Sequence, residues 1–211
     1  MMRGQSLARL SSLLLVLLVL LVSCPVQESP PGHPSSIPQI DQALLHEGDF
    51  VFRHGTGLLS RMIVSVLDEP QAISHGGILF RQDDDSWAVI HSVSGRLYHE
   101  DGVQVESLTE FLEKAVPGSV IVMRLRSSQV IRDAMVRDAQ LYLSERVTFD
   151  HSFSLENGEL YCSELLWATL PGEIREEVTL FHRTGVILFE TFFNPRYFAE
   201  IFRGPEGTPD P

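Results

Sequence analysis

The run of apolar and polar positions divides the chain into short strands in its first half and helices around them. Gly48-Asp49 opens the apolar run Phe50 to Arg53, which predicts a strand. Leu58, Leu59, Met62, Ile63 and Val66 recur at helical spacing until Asp68-Glu69-Pro70 stops them. Two strand-like runs follow, Gly76 to Phe80 and Trp87 to Val93, joined by the polar segment Arg81 to Ser86. Val103 to Glu106 reads as a further strand, and Ser107-Leu108-Thr109-Glu110 as a capping box opening a helix to Lys114. Pro117-Gly118 turns the chain into an apolar strand, Val120 to Leu125. A longer helix then runs to about Glu145, with Ile131, Ala134, Met135, Ala139, Tyr142 and Leu143 on one stripe. A helix begins at Cys162 and stops at Pro171-Gly172, Val186 to Phe189 reads as a last strand, and Asn194-Pro195 opens a closing helix to Phe202. The pattern predicts an α+β fold with a mostly antiparallel sheet and flanking helices.

The N-terminus is set apart from this domain. Arg3 and Arg9 precede Leu13 to Val22, an unbroken apolar run of ten residues, half of the ~20 that a spanning helix needs. It ends in Leu21-Val22-Ser23-Cys24, which resembles the bacterial lipoprotein signal. That resemblance implies cleavage before Cys24, lipidation of its thiol and acylation of its amine. Pro25 follows where an aspartate would signal inner-membrane retention, so the expected location is the cell envelope, at the outer membrane and facing the periplasm. Residues 1–23 are then the signal, the Pro- and Ser-rich residues 24–37 a tether, 38–204 the domain and 205–211 a tail.

Charge and cysteine count narrow the chemistry. The formal charge of −12 becomes −14 when Arg3 and Arg9 leave with a signal that holds no acid. So acidic a chain excludes nucleic acid as a partner and electrostatic attachment to anionic lipid. With Cys24 lipidated, Cys162 has no partner in the chain, and an unpaired thiol in an exported protein needs a reason. At the first turn of a helix it faces the positive end of the dipole, which favours thiolate. Among the histidines, His33, His46 and His99 read as exposed, and His54 and His182 as surface residues beside arginine. His75 and His91 differ. A hairpin centred on Asp83 pairs His75 with His91, Gly77 with Val89 and Leu79 with Trp87, setting two imidazoles on one face with Cβ atoms about 4.5–5.5 Å apart. Gly76 and Gly77 leave room beside the first ring for another backbone or a substrate. Thiol, base and an orienting third group are what nucleophilic cysteine chemistry requires. Two structural histidines in a hairpin is the bland alternative. A metal is not expected, since HxxxH and CxxC spacings are absent, and no cofactor is implied. Asp83-Asp84-Asp85 reads as a solvated hairpin tip, because calcium loops need more ligands in a fixed pattern.

The segments Gly48 to Arg53, Ser74-His75-Gly76-Gly77-Ile78, Val89-Ile90-His91 and Tyr161-Cys162-Ser163-Glu164-Leu165 resemble the circularly permuted papain-like amidases. These are relatives of the NlpC-type cell-wall cysteine peptidases and of lecithin:retinol acyltransferase. The resemblance spans about residues 44–170 and implies a permuted papain-like fold with its nucleophile at a helix N-terminus. It makes Cys162 the nucleophile, His75 the base and His91 the third polar residue, where the bacterial branch often has glutamate and the acyltransferase branch histidine. Asp150 and Phe153 belong to the flanking pattern without an assigned role. Tyr161 and Ser163 are expected to shape the oxyanion or substrate site, Tyr161 with a packing role as its alternative. Glu164 is read as a partner of the helix dipole.

The expected activity is a lipid-anchored cysteine hydrolase of amide bonds, acting on envelope substrates such as cell-wall peptides through an acyl-enzyme. The alternatives are a lipid acyl hydrolase or acyltransferase and a non-catalytic envelope lipoprotein. Phe181, Phe189, Phe192, Phe193, Phe198 and Phe202 gather half of the twelve phenylalanines near the C-terminus. They read as core filling, with an apolar wall for an acyl chain as the functional alternative.

Overall fold

The computed structural model describes residues 39–95, 101–155 and 157–205. The signal, the tether, His33 and His99 lie outside them, as does all of the tail beyond Pro205. Six strands form one antiparallel sheet in the order β4-β3-β2-β1-β5-β6. They are β1 Phe50–Arg53, β2 His75–Arg81, β3 Trp87–Val93, β4 Gly102–Ser107, β5 Ile121–Leu125 and β6 Phe198–Arg203. Among the described residues five α-helices accompany them: α1 Leu58–Leu67, α2 Leu108–Glu113, α3 Gln129–Ser144, α4 Cys162–Thr169 and α5 Gly172–Val178.

Strand alternation sorts the apolar residues onto two covered faces. Phe50, Phe52, Ile78, Ile90, Ile121 and Met123 face α3 and α4, meeting Met135, Ala139, Leu165 and Leu166. Val51, Leu79, Val89 and Val122 face the other way, onto Leu108, Phe111 and Leu112 of α2. The expected capping box starts α2: Ser107 Oγ accepts from the Glu110 N–H while the Glu110 carboxylate accepts from the Ser107 N–H.

The C-terminal aromatics join the first face. Phe189 and Phe192 are buried, with Phe192 5.2 Å from Phe50 and Phe189 5.8 Å from Phe52, both edge-on. They are core, as is Phe198, whereas Phe181 is half exposed.

Two elements differ from expectation here. Val186 to Phe189 is no strand: Ile187 makes a single bridge to Phe181, and Phe189–Phe193 is a 3-10 helix. The closing helix is instead β6. Tyr197 and Phe198 donate to the Asn194 carbonyl in one turn, after which the chain pairs with the open edge of β5. Pairing with that edge satisfies a row of backbone groups that an isolated eight-residue helix would leave bare. A short helix after Pro171, α5, was not read from the sequence. Helix α1 covers its predicted residues, yet none is buried, and Leu58, Leu59, Met62 and Val66 stand exposed.

The hairpin register also differs. Ile78 pairs with Ile90 and Arg81 with Trp87, centring the turn on Asp84. The Gln82 N–H donates to the Ser86 carbonyl, Asp85 takes φ 65°, and Asp84 Oδ1 accepts from Ser86 N and Oγ. The aspartates thus shape the turn. Relative to the expected pairing, one strand has slid by two residues, which preserves the face of every side chain.

Asp49, fully buried, ties the start of β1 to β5. Arg124 donates to both its oxygens, at 2.7 and 2.8 Å, and the His46 N–H adds a third donor at 2.8 Å. Gly48 before it takes φ +81°, where a Cβ would lie 2.7 Å from Arg132 Cβ. Replacing Asp49 with Ala leaves a mostly buried guanidinium unpaired, and chemical denaturation should register a loss of about 3 kcal/mol. Adding Arg124→Met should recover much of that loss; an undiminished loss in the double variant would refute the pairing as its cause.

Candidate active site

Helix α4 lies directly on β2. Leu166 and Phe52 close over Gly76, where a Cβ would come within 3.2 Å of Leu166 Cδ1 and 2.7 Å of Phe52 Cδ1. Beside Gly77, a Cβ would meet Val89 Cγ1 at 2.3 Å and His91 Cβ at 3.1 Å. The two glycines therefore make room for the protein's own side chains, not for a substrate. Close approach at Gly76 brings the first turn of α4 to the start of β2. The N–H groups of Ser163, Cys162 and Gly76 pull the Cys162 thiol's pKa down. His75 is the residue just before Gly76.

His75 and His91 share the sheet face that carries Leu79 and Val89. Their ring contact is diagonal rather than directly cross-strand, and His75 Nε2 lies 2.7 Å from His91 Nδ1. Both rings rest on Phe111 of α2, His75 stacked at 5.7 Å between centroids and His91 edge-on at 5.8 Å. Nε2 of His75 meets His91, leaving Nδ1 as its second ring nitrogen, while Cys162 packs with the core cluster on the opposite, α4, face of the sheet.

Three further groups surround the pair, and sequence reasoning assigned none of them a role. Arg53, the cross-strand partner of His75, is 2 % exposed; its guanidinium lies over Phe111 at 4.6 Å and donates to the Lys114 carbonyl at 2.9 Å. Glu106 on β4 sets one carboxylate oxygen 3.6 Å from His91 Nε2 and gives the other to the Lys114 ammonium. The available signal was weak: an arginine ending an apolar strand and a glutamate alternating with Val103 and Val105.

Burial dominates the electrostatics. It pushes the Cys162 thiol up to about 11, against the N–H groups at the helix start and the Arg53 charge, which pull it down. The helix position alone therefore does not make a resting thiolate, contrary to the expectation from the dipole. Burial, then the charges of Arg53 and Lys114, hold His91 down at about 3; burial, Arg53, His91 and Lys114 lower His75 likewise. Thiol and imidazoles rest neutral.

Tyr161 and Ser163 do not face the reacting groups. The buried Tyr161 phenol accepts from the Ile187 N–H at 3.0 Å, and Ser163 Oγ donates to the Ile187 carbonyl at 2.8 Å. Together they clamp the segment at 187 to α4, a packing duty in place of the expected oxyanion role. Glu164 is buried and accepts from the Tyr161 N–H at 3.4 Å. Asp150 collects the N–H groups of Ser152, Phe153 and Ser154 within 2.7–3.0 Å, holding Phe153 at φ 52° with its ring 5.3 Å from Tyr161. Ser92 Oγ donates to the Leu160 carbonyl at 2.5 Å, pinning the entry to α4 on β3. Of the other histidines, His46 is exposed, and His54 and His182 are partly exposed.

Comparison with known proteins supports the fold. Residues 44–189 match the family described as permuted papain-like amidase enzyme, YaeF/YiiX, C92 family. No curated protein matches the chain. Among solved structures, the metalloprotein yiiX of Escherichia coli O157:H7 shares the fold at a TM-score of 0.59 and 17% identity, over 75% of this chain and 97% of that one. A metal does not suit the present site: Arg53 and Lys114 already place two cations beside its histidines. Among the described residues, no three His, Cys, Asp or Glu side chains are grouped to hold an ion. A match covering most of the chain, with a cysteine helix following the histidine strand, places the protein in the permuted papain-like amidase family of the YaeF/YiiX type.

Proposed function

We propose that the protein is a lipid-anchored thiol hydrolase that cleaves amide bonds of envelope substrates, cell-wall peptides foremost, with Cys162 as nucleophile, His75 as base and His91 as its orienter. Cys24 would carry the lipid, and the tether after it would hold the domain at the periplasmic face of the outer membrane. The reading is supported by the 2.7 Å His75–His91 contact and by the close approach at Gly76, which sets α4, with Cys162 at its start, against the start of β2.

Starting from a neutral pair, the chemistry runs by general-base catalysis. His75 Nδ1 takes the thiol proton as sulfur attacks the carbonyl, and the tetrahedral oxyanion is held by the Cys162 N–H at the helix start. The imidazolium then protonates the leaving amine, and the C–N bond breaks to leave a thioester. Water, deprotonated by His75, releases the acid and restores the thiol. A second substrate class, lipid acyl esters, is favoured by one observation: the exposed Leu58, Leu59, Met62 and Val66 of α1 lie in the segment between Arg53 and His75.

Digests of muropeptides and of phospholipid vesicles, followed by intact-mass analysis, should trap an acyl adduct on Cys162 whose mass names the substrate. Cys162→Ala and His75→Ala should each lower turnover about 10³- to 10⁴-fold. A His75→Ala protein with full turnover refutes the base assignment, and absence of thiol-dependent turnover on both substrates leaves a binding lipoprotein. The protonation state has its own measurement. Iodoacetamide should alkylate the free enzyme at a rate that keeps rising from pH 7 towards the thiol's value of about 11. A plateau already reached below pH 7 would instead indicate a preformed thiolate–imidazolium pair.

A further inference from the structure

Two buried polar atoms at the site face each other without a hydrogen-bond partner: His91 Nε2 and Glu106 Oε1, 3.6 Å apart. His91 is 2 % exposed, and Glu106 sits on the neighbouring strand, opposite Val89 and thus diagonal to His91 on the same face. Glu106's second oxygen is fixed by the Lys114 ammonium at the end of α2, which anchors the carboxylate from the far side. Arg53, from β1, ties to the same residue through the Lys114 carbonyl.

We infer that Glu106 is a positioning residue that sets the tautomer of the histidine pair, an inference resting on the thiol-hydrolase reading for its catalytic consequence. The contact between His75 Nε2 and His91 Nδ1 holds one proton, and two arrangements satisfy it. In one, His91 carries its proton on Nδ1 and donates to His75; His75 is then protonated on Nδ1 and has no lone pair for a thiol. His91 would also turn a bare Nε2 lone pair towards a carboxylate, which is repulsive. In the other, His91 is protonated on Nε2 and points that N–H at Glu106. Its Nδ1 accepts from His75 Nε2–H, and His75 Nδ1 is left free as the base. The carboxylate selects the second arrangement. During turnover the thiol proton moves to His75 Nδ1 and on to the leaving amine, while His91 keeps its Nε2 proton throughout. Glu106 also supplies the negative charge that a neutral histidine in the third position lacks.

The test uses ¹⁵N-labelled histidine in the wild-type protein and in Glu106→Gln and Glu106→Asp variants, with thermal melts as the check on folding. In the wild type, both His75 and His91 should be protonated on Nε2 at neutral pH. Glu106→Gln should shift protons towards Nδ1 and lower kcat about 10²- to 10⁴-fold with KM within about twofold. Glu106→Asp should retain the Nε2 tautomers and recover part of kcat. Wild-type His91 protonated on Nδ1, or tautomers unmoved by Glu106→Gln, overturns the inference; the first outcome is available even if the variant does not fold. Should Cys162 take no acyl group while the wild-type tautomers are as stated, the hydrolase reading fails and the Glu106 assignment stands.

Discussion

The site depends on one close approach, that of α4 to β2 at Gly76. Leu166 and Phe52 occupy the space a side chain would fill there, and the helix start is thereby carried to the residue next to His75. A methyl group at this position would have to push back two apolar side chains of a close-packed core. Because the first turn of α4 holds Cys162, such a shift would move its sulfur. The clamps around the helix have the same consequence. Ser92 holds its entry through the Leu160 carbonyl, and Tyr161 and Ser163 hold the segment at Ile187.

Much of this was legible in the residues. Strong periodicity marked β1, the β2–β3 hairpin, α1 and α3, and the Ser107–Glu110 capping box marked α2. The order of the histidine strand and the cysteine helix carried the resemblance that the match over residues 44–189 bears out. The hairpin register was off by two residues because Arg81 and Trp87 pair across a five-residue turn whose αL position falls on Asp85, a conformation not marked by glycine. Parity protected the conclusion: an even slip leaves both imidazoles on the same face. β6 was misread because Asn194-Pro195 is a good helix opening locally, whereas the vacant edge of β5 is a tertiary fact.

Arg53, Glu106 and Lys114 were less accessible for a related reason. Each is an ordinary charged residue at a strand or helix end, and only the sheet order sets β1, β2, β3 and β4 side by side. Tyr161 and Ser163 were given an oxyanion role on adjacency to Cys162. Adjacency along a helix start turns successive side chains in different directions, and both of these turn towards Ile187.

Burial and electrostatics pull against each other at the centre, and burial prevails in the resting state. A thiol held up to about 11 and imidazoles held neutral resist charge separation. The thiolate is the form that oxidises, so a resting thiol also protects Cys162, which is free among the described residues. The same desolvation raises the value of every fixed dipole once charge does develop. The N–H groups of Ser163, Cys162 and Gly76, with the Arg53 charge, favour negative sulfur. Phe111 lies against both rings, leaving the imidazolium side to be stabilised through His91. In the proposed mechanism, each side of the proton transfer therefore has its own set of fixed groups.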